Sequence, residues 1–89
     1  MNRYELELSK SAEKFLNRTD RNTKTRIIDA LELLTEDPYS YTGVETITNA
    51  KGVFRIRVGK YRILYEIFND RLLVYIEDID SRGDIYKRI

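Results

Sequence analysis

The segment from Gly52 to Phe68 constrains the fold more than any other part of the chain, because it has the pattern of a β-hairpin. Two runs rich in β-branched and aromatic residues flank Gly59-Lys60, a pair typical of a two-residue turn. A turn of this length places Arg57 opposite Arg62, and side chains alternate between the faces of a strand. One face is therefore predicted to be apolar, with Phe54, Ile56, Val58, Tyr61, Ile63 and Tyr65.

The other face of the hairpin carries arginines that folding alone does not explain. Directly opposed like charges destabilise a sheet, so Arg57 facing Arg62 favours a bound polyanion. The whole chain is nearly neutral, with 16 basic and 15 acidic side chains, but residues 46–65 contain no acidic residue. The alternative is a solvated face with Glu66 and Glu77 as counter-charges. The basic residues of this segment are Lys51, Arg55, Arg57, Lys60 and Arg62.

The composition excludes several kinds of chemistry. The chain has no cysteine and no histidine, so it lacks a thiolate nucleophile, disulfides, and the commonest metal ligand and acid–base group. We therefore expect no metal and no cofactor. No apolar run has the length of a membrane span and no signal-peptide pattern is present, which predicts a cytoplasmic protein without a membrane partner. With 89 residues, the chain is expected to form one domain over residues 1–89.

The residues before the hairpin predict a strand and two helices. Tyr4–Leu8 alternates apolar and acidic residues, which is typical of a half-buried strand. Ser9 is a predicted cap for a helix from Lys10 to Asn17, and Thr19-Asp20 separates it from a second helix over Arg21–Thr35. Asp37-Pro38 ends that helix. Apolar residues at helical spacing predict the core-facing stripes: Ala12, Phe15, Leu16, Ile27, Ile28, Ala30, Leu31 and Leu34.

The residues after the hairpin predict one more strand. Val44–Thr48 is expected to extend briefly before the hairpin, and Asn69-Asp70 is a second predicted two-residue turn after it. The strand Arg71–Asp78 would carry Leu72, Val74 and Ile76 on the core face. Continuing the register places Glu77 opposite Arg62 as a counter-charge.

The order of these elements predicts an α+β fold. A two-helix hairpin should pack on one face of a four-stranded, mostly antiparallel sheet, and the first strand should join an edge of the three-stranded meander. The arginine face of the sheet is then left open.

Two longer motifs add a resemblance to a known family. Phe54–Tyr65 and Ser81–Tyr86, together with Ser9–Leu16 and the Asp37-Pro38 helix end, resemble the RelE/ParE superfamily of bacterial and archaeal toxins. The resemblance covers essentially the whole chain and implies a RelE-like toxin of a type II toxin–antitoxin system. The RelE-like branch consists of metal-independent endoribonucleases, or mRNA interferases, that cleave mRNA in the ribosomal A site and so inhibit translation. It also implies a RelB-like antitoxin as partner, with DNA contacted only through the antitoxin complex.

The resemblance also implies the residues of the site. Arg57 and Arg62 would stabilise the charge that develops when the RNA 2′-hydroxyl attacks the adjacent phosphate, and Arg82 would steady the leaving oxygen. The general base would be Tyr86 or Glu45, which sits where some relatives carry a catalytic carboxylate. Flanking phosphates would be held by Lys51, Arg55, Lys60 and Lys87.

Other functions remain open at this point. Members of the ParE branch inhibit DNA gyrase without cutting RNA, and a third possibility is a member whose arginines hold only an acidic antitoxin tail. Many relatives carry histidine where this chain has Ser81. Because this chain contains no histidine at all, a histidine-based mechanism is excluded here. Tyr86 also has a simpler interpretation, as an aromatic residue packed against the sheet.

Overall fold

The computed structural model describes residues 3–41, 43–46 and 52–81. Their secondary structure elements are β1 (Glu5–Leu8), α1 (Lys10–Arg18), α2 (Arg21–Glu36), β2 (Glu45–Thr46), β3 (Val53–Val58), β4 (Tyr61–Phe68) and β5 (Leu73–Ser81). In the described ranges, neither helix has the length and apolar character needed to cross a membrane.

The strands form one mixed sheet with the order β1-β5-β4-β3-β2. β1 lies parallel to β5 at one edge, and the other neighbours are antiparallel. The predicted α+β fold, with two helices packed against a mostly antiparallel sheet, is confirmed. The sheet has five strands instead of four because Glu45 and Thr46 pair with Arg55 and Phe54, inside the segment that was expected to extend only briefly.

Both helices begin and end close to the predicted residues. The Ser9 side chain accepts a hydrogen bond from the Ala12 backbone nitrogen at 3.1 Å, and Asp20 caps α2 in the same way through Thr23. Asp37 ends α2 in an extended conformation, as expected for a residue before proline. The Ser9 hydroxyl also donates to the Glu77 carbonyl at 2.6 Å, which ties the start of α1 to β5.

The hydrophobic core fills the space between the helices and one face of the sheet. Phe15 and Phe54, both predicted to be core, are only partly buried at its margin. Tyr65 is fully buried, and its hydroxyl donates to the Pro38 carbonyl at 2.8 Å. The sheet therefore holds the end of α2 through a hydrogen bond as well as through packing. The core comprises Ala12, Leu16, Ile27, Ala30, Leu31, Leu34, Ile56, Val58, Ile63, Tyr65, Ile67, Val74, Ile76 and Ile79.

The β3–β4 hairpin has the predicted register. Arg57 pairs with Arg62 and Ile56 with Ile63 around the Gly59-Lys60 turn. Gly59 adopts a φ of 61°, a left-handed conformation that glycine takes at little cost. The alternation of buried apolar and outward-facing arginine positions therefore follows the sequence pattern.

The predicted two-residue turn after β4 is wrong. The connection runs from Asn69 to Leu72, and Phe68 pairs with Leu73. A two-residue turn of the hairpin type requires positive φ at its central residues, and Asn69-Asp70 offers no glycine for it. In the longer turn only Leu72 has a positive φ, 48°, among the described non-glycine residues. Leu72 thus lies in the turn and does not face the core from a strand, as had been predicted.

The predicted pairing of Glu77 with Arg62 is also wrong, because the four-residue turn shifts β5 by two positions and a bulge in β5 shifts it by one more. Tyr65 pairs with Ile76 but Leu64 pairs with Asp78, so Glu77 is an extra residue in the ladder. Asp80 then lies opposite Arg62. The physical reason is apolar burial. Ile76 and Ile79 are separated by three positions, and the extra residue lets both face the core.

The bulge brings two carboxyl groups together on β4 and β5. Burial raises the pKa of Glu77 to about 6, and a hydrogen bond and charge repulsion from Glu66 act in the same direction. Glu66 itself pairs with Tyr75, one strand position away from the bulge. Glu77 is therefore neutral over part of the acidic pH range, and the carboxylate opposite Arg62 is that of Asp80.

We predict that Tyr65→Phe lowers the free energy of unfolding by about 1–3 kcal/mol, because it leaves the buried Pro38 carbonyl without its hydrogen-bond donor. Urea denaturation followed by circular dichroism measures the change. Tyr61→Phe is the matched control, since the Tyr61 hydroxyl makes no hydrogen bond to a described residue. An equal effect of the two substitutions would show that the Tyr65 hydroxyl does not stabilise the end of α2.

A second prediction concerns pH. The folded-state pKa of Glu77, about 6, lies above its ordinary value of 4.5, so the folded protein binds this proton more tightly than the unfolded chain. Its contribution to stability is present below about pH 4.5 and is lost as the pH rises through about 6. We therefore expect the free energy of unfolding of Glu77→Gln, minus that of the unsubstituted protein, to increase as the pH rises from about 4.5 to about 6.

Urea unfolding at several pH values between about 4 and 7 tests this expectation. The unsubstituted protein, measured at the same pH values, is the reference. A Glu77→Gln difference that does not change with pH would contradict the assignment of the raised pKa to this residue.

Candidate functional site

Three arginines lie together on the sheet face opposite the helices; we refer to Arg55, Arg57 and Arg62 as the arginine cluster. Arg57 is exposed and directly faces Arg62, whereas Arg55 faces Leu64. Leu64 is only 5% exposed although it lies on this face, which alternation did not predict. Long arginine stems can cover apolar surface while their guanidinium groups reach solvent. The arginine cluster thus has aliphatic stems packed on the sheet and charged groups farther out.

The short strand β2 adds a carboxylate to the arginine cluster. Glu45 pairs in register with Arg55, and the two side chains form an ion pair between Oε1 and Nη2. The Arg55 side chain is 11% exposed and that of Glu45 is 58% exposed. The hydrogen bond from Arg55 lowers the pKa of Glu45, and the charges of Arg55, Arg57 and Arg62 lower it further. Glu45 therefore lies in the field of the whole cluster.

An open cavity lies beside this ion pair. It has a volume of about 320 Å³ and is lined by Gly43, Glu45, Arg55 and Arg57. This is at the lower end of the volumes of typical ligand pockets, about 300–1,000 Å³. Its charged lining suits a small anionic group better than an apolar ligand.

Arg62 has an unsatisfied donor at the centre of the cluster. Its Nε is buried and has no hydrogen-bond partner in the described structure. Leaving a buried donor unpaired costs about 1–3 kcal/mol, more for a charged group. Among the described carboxylates, none forms an ion pair with Arg57 or Arg62.

The hairpin turn extends the positive charge to the end of the sheet. Lys60 lies in the turn, with Nζ 5.7 Å from the centre of the Tyr61 ring. The Arg26 guanidinium of α2 also reaches the turn, since a side-chain carbon on Gly59 would lie 2.9 Å from its Nη2. Sequence reasoning did not include Arg26, because nothing in the local pattern of α2 indicates that it meets the turn.

The structure thus brings together five of the nine residues assigned to the site from the sequence. Arg55, Arg57, Arg62 and Glu45 adjoin one another, and Lys60 lies in the adjacent turn. The other four, Lys51, Arg82, Tyr86 and Lys87, lie outside the described residues. Fixed guanidinium groups in this arrangement can bind and orient phosphate oxygens, and can stabilise negative charge that develops on them.

Several solved toxin structures have the same fold. The toxin–antitoxin complex RelBE2 from Mycobacterium tuberculosis matches with a TM-score of 0.80 and 23% identity, over 92% of this chain and 94% of that chain. The archaeal RelE–RelB complex from Pyrococcus horikoshii matches with a TM-score of 0.79 and 20% identity, over 90% of this chain and 96% of that chain. The YoeB/ParE toxin from Agrobacterium tumefaciens matches with a TM-score of 0.75 and 18% identity, over 89% of this chain and 99% of that chain.

Sequence comparison assigns the chain to a family. No protein with a curated description matches it. The sequence model of the ParE toxin of the type II toxin–antitoxin system parDE matches residues 6–86, which span every element from β1 to β5. The chain therefore belongs to the ParE toxin family of type II toxin–antitoxin systems, within the RelE/ParE superfamily.

Proposed function

We propose that this toxin is a ribosome-dependent endoribonuclease that cleaves mRNA in the A site and so inhibits translation. The observation that carries the proposal is the pairing of Arg57 with Arg62 on the open face, with the buried Nε of Arg62 lacking a partner among the described residues. This arrangement is unfavourable for the protein alone, because like charges face each other and a donor is left unsatisfied. A phosphodiester bound at the two arginines would relieve the repulsion between their charges.

The proposed reaction needs no metal ion. The RNA 2′-oxygen attacks the adjacent phosphorus, the bond from phosphorus to the 5′-oxygen breaks, and the products are a 2′,3′-cyclic phosphate and a free 5′-hydroxyl. Arg57 and Arg62 would donate to the phosphate oxygens, where negative charge increases in the transition state. Arg82 would steady the leaving oxygen. Flanking phosphates would be held by Lys51, Arg55, Lys60 and Lys87.

Two residues are candidates for taking the 2′-hydroxyl proton. The arginine cluster lowers the pKa of Glu45, so this carboxylate is ionised but is a weakened base. Tyr86 has an ordinary pKa of about 10 and would need nearby cations to lower it. Its ring could instead stack on a base of the RNA. Substitution experiments separate these roles.

We propose further that a cognate antitoxin inhibits the toxin. Three of the solved relatives described as toxin–antitoxin complexes, from M. tuberculosis, P. horikoshii and Escherichia coli, are RelB–RelE pairs. An antitoxin segment with acidic residues would be attracted to the arginine cluster and would block access to it. Contact with DNA would then be made by the complex, through the antitoxin.

Inhibition of DNA gyrase is the second candidate function. It is favoured by the match to the sequence model of the ParE toxin family. A gyrase inhibitor needs no transition-state donors, so the arginine cluster would serve binding alone. The two functions differ in what happens to mRNA and to DNA supercoiling in cells.

We expect Arg62→Ala to reduce codon-specific mRNA cleavage by at least about 100-fold, the scale of losing one transition-state donor. Mapping new mRNA 5′ ends after induction measures the cleavage. Arg71→Ala is the matched control, because Arg71 lies in the β4–β5 turn, with its guanidinium carbon 4.8 Å from the centre of the Phe68 ring. It should cleave as the unsubstituted toxin does.

One combination of results would overturn the ribonuclease proposal. If Arg57→Ala and Arg62→Ala remain fully toxic, while mRNA stays intact and DNA supercoiling changes, the gyrase-inhibitor function takes its place. Circular dichroism of each variant confirms that folding is unchanged, as expected for side chains outside the core.

Substitution of Tyr86 distinguishes stacking from proton transfer. Stacking requires only the ring, so Tyr86→Phe should then cleave nearly as well as the unsubstituted toxin while Tyr86→Ala fails. A general base requires the hydroxyl, so both variants should then fail. Single-turnover cleavage on programmed ribosomes measures the rates. Full activity of Tyr86→Ala would exclude both roles.

A further inference from the structure

The position of Glu45 has a consequence beyond the proposed reaction. The register of β2 with β3 places Glu45 beside Arg55. The carboxylate makes an ion pair with Arg55 and lines the same cavity as Arg55 and Arg57. An anion therefore already occupies part of the surface that a phosphate would use.

A carboxylate and a phosphodiester can compete for the same guanidinium group. Each carries one negative charge and presents two oxygens that a guanidinium group can bind in a parallel pair of hydrogen bonds. A phosphate that enters the cavity beside Arg57 must share Arg55 with Glu45 or displace it. Repulsion between the two anions makes displacement the favoured result.

Displacement of Glu45 should cost little. Its side chain is 58% exposed, so the ion pair is solvated on one side, and exposed pairs of this kind contribute little to stability. The contact is thus strong enough to occupy Arg55 in the free protein and weak enough to yield to a polyanion.

We propose that Glu45 is an internal competitor of the RNA phosphate: its carboxylate occupies Arg55 in the free toxin and leaves when a phosphodiester binds. This inference rests on the proposed function for the identity of the ligand. It assigns Glu45 the task of discriminating between ligands, because a single phosphate gains little after displacing a carboxylate of equal charge. A strand with several phosphates binds other cations at the same time and overcomes the competition.

A binding experiment tests the proposal without cleavage. The probe is a fluorescent oligoribonucleotide whose 2′-hydroxyl groups are methylated, so that it cannot be cut, and its affinity for the purified toxin is measured by anisotropy. Glu45→Gln should bind about fivefold more tightly than the unsubstituted toxin, the fold-change that corresponds to about 1 kcal/mol. Glu45→Asp keeps the charge and should bind no more tightly than the unsubstituted toxin.

Glu32→Gln is the matched control for net charge, because it makes the same chemical change on an exposed position of α2. It should leave the affinity within about twofold of the unsubstituted value, since a distant exposed charge is screened by salt.

The outcomes separate this proposal from the proposed function. If Glu45→Gln binds equally or more weakly, while Arg57→Ala weakens binding, Glu45 is not a competitor and the RNA site stands. Loss of cleavage in Glu45→Gln with unchanged affinity would make it a general base instead and would also overturn the proposal. If neither Arg57→Ala nor Glu45→Gln changes the affinity, both the RNA site and the competitor are wrong.

Discussion

The register of β3 against β4 is the constraint on which the rest of this structure depends. A shift by one residue would move Ile56 to solvent and Arg57 into the core, because side chains alternate along a strand. Gly59 holds the register through its left-handed conformation, and the Arg26 guanidinium occupies the space that a side chain there would need. A single glycine therefore keeps the hydrophobic core and the arginine cluster on opposite faces of the sheet.

Sequence reasoning predicted the parts of the fold that local physics determines. Ser9 and Asp20 begin the two helices and Asp37-Pro38 ends the second, because capping and the restriction before proline act within a few residues. The antiparallel pairing of β4 with β5 was predicted, but its register was missed since it depends on nonlocal packing. The bulge at Glu77 exists because Ile76 and Ile79 both gain burial, and the spacing of three between them was the signal.

The residues of the site also divide into those predicted from a local pattern and those positioned by tertiary structure. The arginine cluster was predicted from alternation around one turn, so its geometry follows directly from a short segment. Glu45 was named from a family resemblance, but its contact with Arg55 depends on a two-residue strand too short to produce an alternating pattern. Arg26 comes from a helix distant in sequence, and Asp80 replaces Glu77 opposite Arg62 because of the longer turn and the bulge together. Tertiary structure thus decides which charges surround the arginines.

The parallel pairing of β1 with β5 joins the first strand to the last described one. α1 depends on the same strand, because the Ser9 backbone nitrogen and hydroxyl donate to the carbonyls of Ile76 and Glu77. The N-terminal elements therefore find their partners only after β5 has left the ribosome, which makes the contacts of this fold nonlocal and its folding slow for its size. A protease that cuts the exposed turn at Asn69-Asp70 would consequently detach the strand that supports both β1 and α1.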